Sequence, residues 1–382
     1  MNRTVLQISN DFMHQEVYTQ LIGHLEARGI PQWVFVAARE ADDVRRCPPD
    51  TVLTRYAVRH VLRRHHKLLF GVKVRAMLRA LEGSFDVSKA ALMHAHFLYT
   101  DGAVAFDIHR RFGIPYVVSV RPTTDIFAFM RYRPDLLGLA VRILRAASSV
   151  VCLTPAGRDL LLSRIPRSER DGVRRKINLV PSAIGTVWHD APASVGISPA
   201  GTIRLLSVSD MSPNKNVPAV LAAARTLVKR GLNVTLTLVG GSPERLPRRL
   251  DPWVTHIPHT RDREALRNLF RQHDVFVLPS FAETFGLVYV EALSQGLPVI
   301  HSRGQAIDGL FPEGIISEPV DPRSPDSIAD AAARLTSARP GTWQRCIDET
   351  RGYRWPLVAE RVHAIYRDAG LPDSTTSLMG ST

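Results

Sequence analysis

Short apolar runs rich in β-branched residues alternate with segments of helical period along nearly the whole chain. TVLQIS (4–9) precedes a helical VYTQLIGHLEARG (17–29) that stops at Gly29, and WVFVAA (33–38) follows. ALMHAHF (91–97) leads into GAVAFDIHRRFG (102–113) and PYVVSV (115–120). A helix is expected over 135–147, then SVVCLT (149–154) and INLVPSAI (177–184). These runs are continuously apolar instead of alternating. That is the mark of strands buried on both faces, as in a parallel sheet covered by helices.

The pattern then restarts. IRLLSVS (203–209), VTLTLVG (234–240), VTHIPH (254–259), VFVLPS (275–280) and LPVIHS (297–302) read as strands. Helices are expected over 218–231 and 262–273, with another ending at Gly296. The Pro/Ala/Ser/Gly stretch APASVGISPAG (191–201) separates the two series. This predicts two doubly wound α/β domains, residues 1–195 and 200–350, which suits a chain of 382 residues. Residues 351–370 read as a terminal helix packing back toward the first domain, and 371–382 as a disordered tail. Ligands of open α/β sheets bind beyond the carboxyl ends of the strands. Two such domains facing across a cleft would place the informative loops there.

The most informative loop is PSFAETFGLVYVEALSQG (279–296), which places Glu283 and Glu291 eight positions apart around Phe-Gly-Leu. Gly286 allows close backbone approach. Free N–H groups at the start of the following helix suit a diphosphate, while carboxylates suit hydroxyls. Hydroxyls on both sides of a diphosphate describe a nucleotide sugar. A lone glutamate pair at this spacing would be an ordinary loop acid and helix-face acid. The strand, Pro-Ser, Phe-Gly and following EALSQGLPVI give it a context.

Charge adds a second feature. The net charge is +13, of which residues 1–200 carry +11 (28 basic against 17 acidic). It is densest over 54–83, with eight Lys/Arg against Glu82 and apolar residues interleaved at mostly helical spacing. Such a stretch suits an anionic membrane face; the alternative is a solvated helix face. Nucleic acid is not expected, since aromatic interleaving and recognition motifs are lacking. Three scattered cysteines support neither a disulfide framework nor a zinc site. No signal peptide or membrane span is read, so the expected place is the cytoplasm, with a peripheral position on the inner face of the plasma membrane.

The 275–310 stretch resembles glycosyltransferase family 4, retaining enzymes of the GT-B fold, and the resemblance extends over nearly the whole chain. It implies that Glu283 faces the donor hexose, that backbone amides of Thr284, Phe285, Gly286 and Leu287 hold sugar and phosphate, and that Glu291 binds the ribose. In SVSDMSPNKNV (207–217), Lys215 matches the family's diphosphate lysine, but Asp210 stands where an arginine is usual. In PYVVSVRPTTDIFAF (115–129), Arg121 stands where the family often has histidine, and Asp125 closes the segment. Arg121 is expected on a phosphate or an anionic acceptor. Asp125 is expected on a substrate hydroxyl, with a structural pairing to Arg121 as the alternative. His96 is expected as a cleft residue, with core packing as the alternative; with His94 it lacks a third metal ligand. The family's N-terminal glycine-rich loop is absent, and its Pro-Asn-Gly-Ile-Asp run appears as PSAIG (181–185).

The resemblance implies transfer of a sugar from a nucleotide-diphosphate-sugar to an acceptor hydroxyl on a glycan, lipid-linked or small-molecule acceptor. No cofactor or metal is expected, and Lys215, Glu283 and Arg121 are the expected catalytic residues. An epimerase of similar fold and a non-catalytic basic binding protein are the alternatives.

Overall fold

The computed structural model describes residues 3–190, 201–337 and 341–372. The 191–201 linker, apart from Gly201, and the tail from residue 373 lie outside them. The chain divides into two compact units. Unit 1 comprises residues up to Leu153, Arg158–Pro181 and the chain from Trp355 onward. Unit 2 comprises Thr154–Gly157 and Ser182–Arg354.

Unit 1 is built on seven parallel strands. They are β1 (Val5–Ile8), β2 (Gln32–Ala38), β3 (Thr54–His60), β4 (Leu92–Ala95), β5 (Tyr116–Val120), β6 (Ser149–Cys152) and β7 (Ile177–Leu179), in the order β3-β2-β1-β4-β5-β6-β7. Val5 registers with Gln32 on one side and Leu92 on the other. β1, β4, β5 and β6 are fully buried, which is why their sequences run apolar without alternation. The strand order reverses between β1 and β4, so the loops that follow those strands diverge and leave room between them.

Unit 2 repeats the plan with β8 (Thr202–Val208), β9 (Asn233–Val239), β10 (Val254–Ile257), β11 (Val275–Leu278), β12 (Val299–Ser302) and β13 (Ser317–Val320). Their order is β10-β9-β8-β11-β12-β13, again all parallel, with the reversal between β8 and β11. Helix starts follow the side chains available. Asp262 caps Arg263–Gln272 by accepting from the amides of Glu264 and Ala265, both at 3.0 Å. Ser324 caps Pro325–Thr336 through the Ser327 amide. Both halves are thus doubly wound α/β units, as the periodicity predicts.

Two readings of the sequence need correction. Residues 54–83 are not one amphipathic segment: 54–60 form edge strand β3, and only Phe70–Glu82 is α-helix. Val58, Leu62, Met77 and Leu78 are buried in unit 1, so much of the apolar stripe is core. The second correction is β13, whose SEPV sequence gives no strand signal. It is an edge strand, and Pro319 is tolerated there because it has only β12 as a partner.

Helix Trp355–Asp368 is part of unit 1 and fastens to it through polar groups as well as apolar ones. Tyr366 Oη lies 2.7 Å from His94 Nδ1, and Gln7 Nε2 donates to it at 3.1 Å. Gln7 also donates to Gln32 Oε1 and lies 2.9 Å from His96 Nε2, while His94 Nε2 reaches Ser119 Oγ at 2.9 Å. Every member of this network is buried. Burial, reinforced by the Arg121 charge, lowers the His94 pKa to about 3 and that of His96 well below the ordinary imidazole value, so both rings are neutral and serve as hydrogen-bond links. Tyr366→Phe removes a hydroxyl and leaves its buried partners unmatched. It is expected to lower stability by about 1–3 kcal/mol, read as an earlier urea midpoint with the unfolding slope unchanged. An unchanged midpoint would show that the hydroxyl contributes nothing.

Candidate active site

The loops that follow β8, β9, β11 and β12 gather at one edge of unit 2. β11 ends in Pro279-Ser280, and Phe281–Gly286 lead into helix Leu287–Ser294. Gly286 sits at φ 75°, and a Cβ there would come within 2.4 Å of Tyr289 Cε2. No other residue fits so close an approach in this left-handed conformation. The Tyr289 ring that fills the space is itself fixed, its hydroxyl donating to the Leu278 carbonyl at 2.6 Å.

Within this loop Glu283 meets Lys215. Lys215 Nζ lies 2.6 Å from Glu283 Oε2, and both side chains are mostly buried. The Thr284 amide donates to Glu283 Oε1 at 3.1 Å, while the Glu283 amide donates to Gln305 Oε1 at 2.8 Å. Gln305, after β12, in turn donates to the carbonyls of Ser280 and Phe281. Asn214 matches the loop edge on: its side chain donates to the Ala282 carbonyl and accepts from the Ala282 amide. The neighbouring Asn216 adopts φ 56° and bonds the carbonyls of Pro279 and Pro322. Two loops distant in sequence are thereby held as one frame around a single ion pair.

Asp210 opens the β8 loop. Its Oδ1 accepts from the amide and hydroxyl of Ser212 at 3.0 and 2.9 Å, a closed turn. Burial acts to raise its pKa, but the Ser212 bonds and the charges of Lys215 and Arg245 outweigh it and hold the carboxyl below its usual range. Arg245, after β9, donates to the Asp210 carbonyl oxygen at 2.7 Å. The fold thus brings a guanidinium beside position 210 from 35 residues away. Gly240, at φ 98°, allows the β9 loop to pass against Ser209. Of the remaining residues expected here, Phe285 is buried, with its ring 6.3 Å from that of Tyr353. Thr284, Leu287 and Glu291 are half-buried, Glu291 on the helix Leu287–Ser294.

In unit 1 a cavity of about 630 Å³ opens among the loops after β1, β2, β4 and β5, at the strand-order reversal. Asp125 lines it from a π-type turn, Pro122–Met130, that follows β5. Its carboxylate accepts from the amides of Arg121 (2.7 Å), Leu98 (3.1 Å) and Tyr99 (3.4 Å), stitching the β4 and β5 loops together. Burial pushes its pKa up to about 7, against those three amides and the Arg121 charge. Arg121 meets Asp125 through its backbone, while its guanidinium carbon stands 5.7 Å from the centre of the Tyr18 ring. Neither Arg121 nor His96 lines the cavity; His96 lies in the buried network beside His94. Arg39 and Lys73, which the sequence reading did not single out as site residues, do line it.

Comparison with known proteins fits this plan. The family Glycosyl transferases group 1 matches residues 202–338, within unit 2. The chain is 26% identical over 338 residues to a D-inositol 3-phosphate glycosyltransferase of Thermobifida fusca, covering 78% of this chain and 73% of that one. A Nocardiopsis dassonvillei protein of the same name is 27% identical, with 72% of each chain covered. Among solved structures, a sucrose-phosphate synthase from Thermosynechococcus elongatus superposes with a TM-score of 0.72 at 18% identity, over 96% of this chain and 98% of that one. Anabaena HepE, solved in complex with UDP and glucose, superposes with a TM-score of 0.66 at 15% identity, over 96% and 99%. The second half of the chain is thus similar to the glycosyl transferases of group 1, and the protein is a glycosyltransferase with the GT-B fold.

Proposed function

We propose that unit 2 holds a nucleoside diphosphate sugar at the Lys215–Glu283 pair and that unit 1 receives the acceptor. The observation that carries this is the pair itself. A cation and a carboxylate share one mostly buried site, beside backbone amides that start a helix. The carboxylate suits sugar hydroxyls, and the ammonium and the amides suit the diphosphate. Arg245 supplies the second cation, in place of the arginine replaced by Asp210. The HepE structure, with UDP and glucose bound to the same fold, supports a donor of this class.

In this reading transfer retains the anomeric configuration. The acceptor hydroxyl attacks the face from which the diphosphate departs, the C1–O(phosphate) bond breaks, and the acceptor proton passes to the leaving phosphate oxygen. The protein then contributes charge stabilisation at the diphosphate and positioning, with no enzyme nucleophile. Cationic side chains take the part that a metal would otherwise play at the diphosphate. Among the described residues no three His, Cys, Asp or Glu side chains gather into a metal-binding group.

Exposed residues on either side of buried His66 support a peripheral position on an anionic membrane. Leu68 is 81% and Leu69 52% exposed, next to exposed Arg63, Arg64 and His65. Apolar insertion and basic attraction reinforce each other at such a surface. Among the described residues no helix is long and apolar enough to cross a membrane.

Three outcomes are expected. In a thermal-shift panel of UDP, GDP, ADP, dTDP and their sugars, one base should stabilise the protein, by about 2.7 kcal/mol at one hundred times its Kd; no shift with any would overturn the donor assignment. Glu283→Ala should cut transfer by about 10²-fold in a folded protein while EDTA leaves wild-type transfer unchanged. Near-normal turnover of that variant would sink the site. Leu68→Ser with Leu69→Ser should weaken sedimentation with phosphatidylglycerol vesicles by about tenfold or more, as loss of most of two leucines' burial implies; equal sedimentation would discard the membrane face.

A further inference from the structure

The two cations of the unit-2 site differ in what already holds them. Arg245 is anchored by a neutral acceptor, the Asp210 carbonyl oxygen, at 2.7 Å. Lys215 is bonded to a charged one, Glu283, with Nζ 2.6 Å from Oε2 and the two side chains 22% and 15% exposed. Partial burial keeps salt and solvent from screening this pair as fully as they would at a surface. Asp210 also feels the charges of Lys215 and Arg245, but its Oδ1 is taken by the amide and hydroxyl of Ser212. Glu283 is the carboxylate in direct contact with the ammonium.

The pair is not what holds its own loops in place. Asn214 bonds the Ala282 amide and carbonyl at 2.9 and 2.8 Å through its side chain, and its carbonyl accepts from the Phe281 amide at 2.8 Å. The Glu283 amide is fixed by Gln305, and the Lys215 amide donates to the Ser212 carbonyl at 2.8 Å. Main-chain bonds thus secure both ends of the pair. The carboxylate itself is pinned by the Thr284 amide at Oε1, 3.1 Å, and so presents a fixed negative charge to the ammonium. A phosphate that reaches for Lys215 must share it with this carboxylate, and two like charges then face each other across one cation. A ligand that brings hydroxyls offsets that repulsion, because hydroxyls donate to the carboxylate. A diphosphate without its sugar brings no such donor.

We propose that Glu283 is an internal competitor for Lys215, opposing a bare nucleoside diphosphate and accepting one whose sugar hydroxyls engage the carboxylate. Transfer removes those hydroxyls. The ion pair is then restored at the expense of the phosphate contact, which favours departure of the sugar-free product. The inference rests on the reading of this site as the donor site and names how the site tells donor from product.

The test is isothermal titration of the full chain with UDP, GDP, ADP and dTDP and with the sugar of whichever binds. Glu283→Gln keeps the length and shape of the side chain and removes its charge, and the main-chain bonds around it remain. It should bind the bare diphosphate about threefold to tenfold more tightly than wild type, the range implied by loss of one partly screened ion pair. It should bind the nucleotide sugar no more tightly than wild type does, so the preference for donor over product falls. Transfer should fall in the same variant. Product affinity and turnover then move in opposite directions, which a damaged or unfolded site would not produce. Asp210→Asn removes a nearby carboxylate that does not touch Lys215 and should gain less. An equal gain in Asp210→Asn would show that net charge alone acts and would overturn the proposal, as would a Glu283→Gln protein that binds the bare diphosphate no better than wild type. Failure of wild type and Glu283→Gln alike to bind any nucleoside diphosphate would instead overturn the donor assignment, and this inference with it.

Discussion

Parallel pairing is the constraint on which everything else depends. A parallel ladder cannot be closed by a tight hairpin, so each strand must be followed by a crossover that returns the chain to the same starting edge. Every strand therefore ends on the same side, and the loops that leave those ends are collected whatever their separation in sequence. Where the strand order reverses, two neighbouring loops turn away from each other and leave space. Unit 1 reverses between β1 and β4 and has its 630 Å³ cavity there. Unit 2 reverses between β8 and β11 and holds the Lys215–Glu283 pair there. The cost is a core that must be apolar on both faces, and the fully buried strands meet that demand.

The pair in unit 2 shows how a backbone frame determines what two side chains can do. Glu283 is held at both oxygens, by Lys215 on one and the Thr284 amide on the other. Gln305 and Asn214 fix the loop that carries it through bonds to main-chain atoms only. Neither charge therefore relies on a long, free side chain to find its place, and less ordering remains for a ligand to supply when it binds.

Strands buried on both faces were legible because both faces demand apolar side chains. Two of the four edge strands, β3 and β13, were not. β3 lies at one edge of its sheet and is only partly buried, with no regular alternation, so TRYAVRH blends into the basic stretch that follows. β13 contains an acid and a proline that only an edge admits. The glutamate loop was legible as a local pattern, since strand, loop, glycine and helix start are adjacent in the chain. Arg245, Arg39 and Lys73 were not, because no spacing in one sequence states which loops will meet. His96 was open to two readings, since a buried neutral histidine and an exposed one look the same in letters. Its bond to Gln7 decides where it lies, and Gln7 is 89 residues away.

The route of the chain between its units carries a consequence for recombination. Unit 2 is continuous from Ser182 to Arg354 apart from Thr154–Gly157, whereas unit 1 needs the last helix to complete the network around Tyr366. A fragment cut after Arg354 would strand His94 and Gln7 without their buried phenol. The segment between Pro181 and Trp355 is instead a nearly complete cassette, with chain of unit 1 before it and after it. Exchange at those two junctions would carry nearly all of unit 2 as one piece and leave only Thr154–Gly157 of it behind.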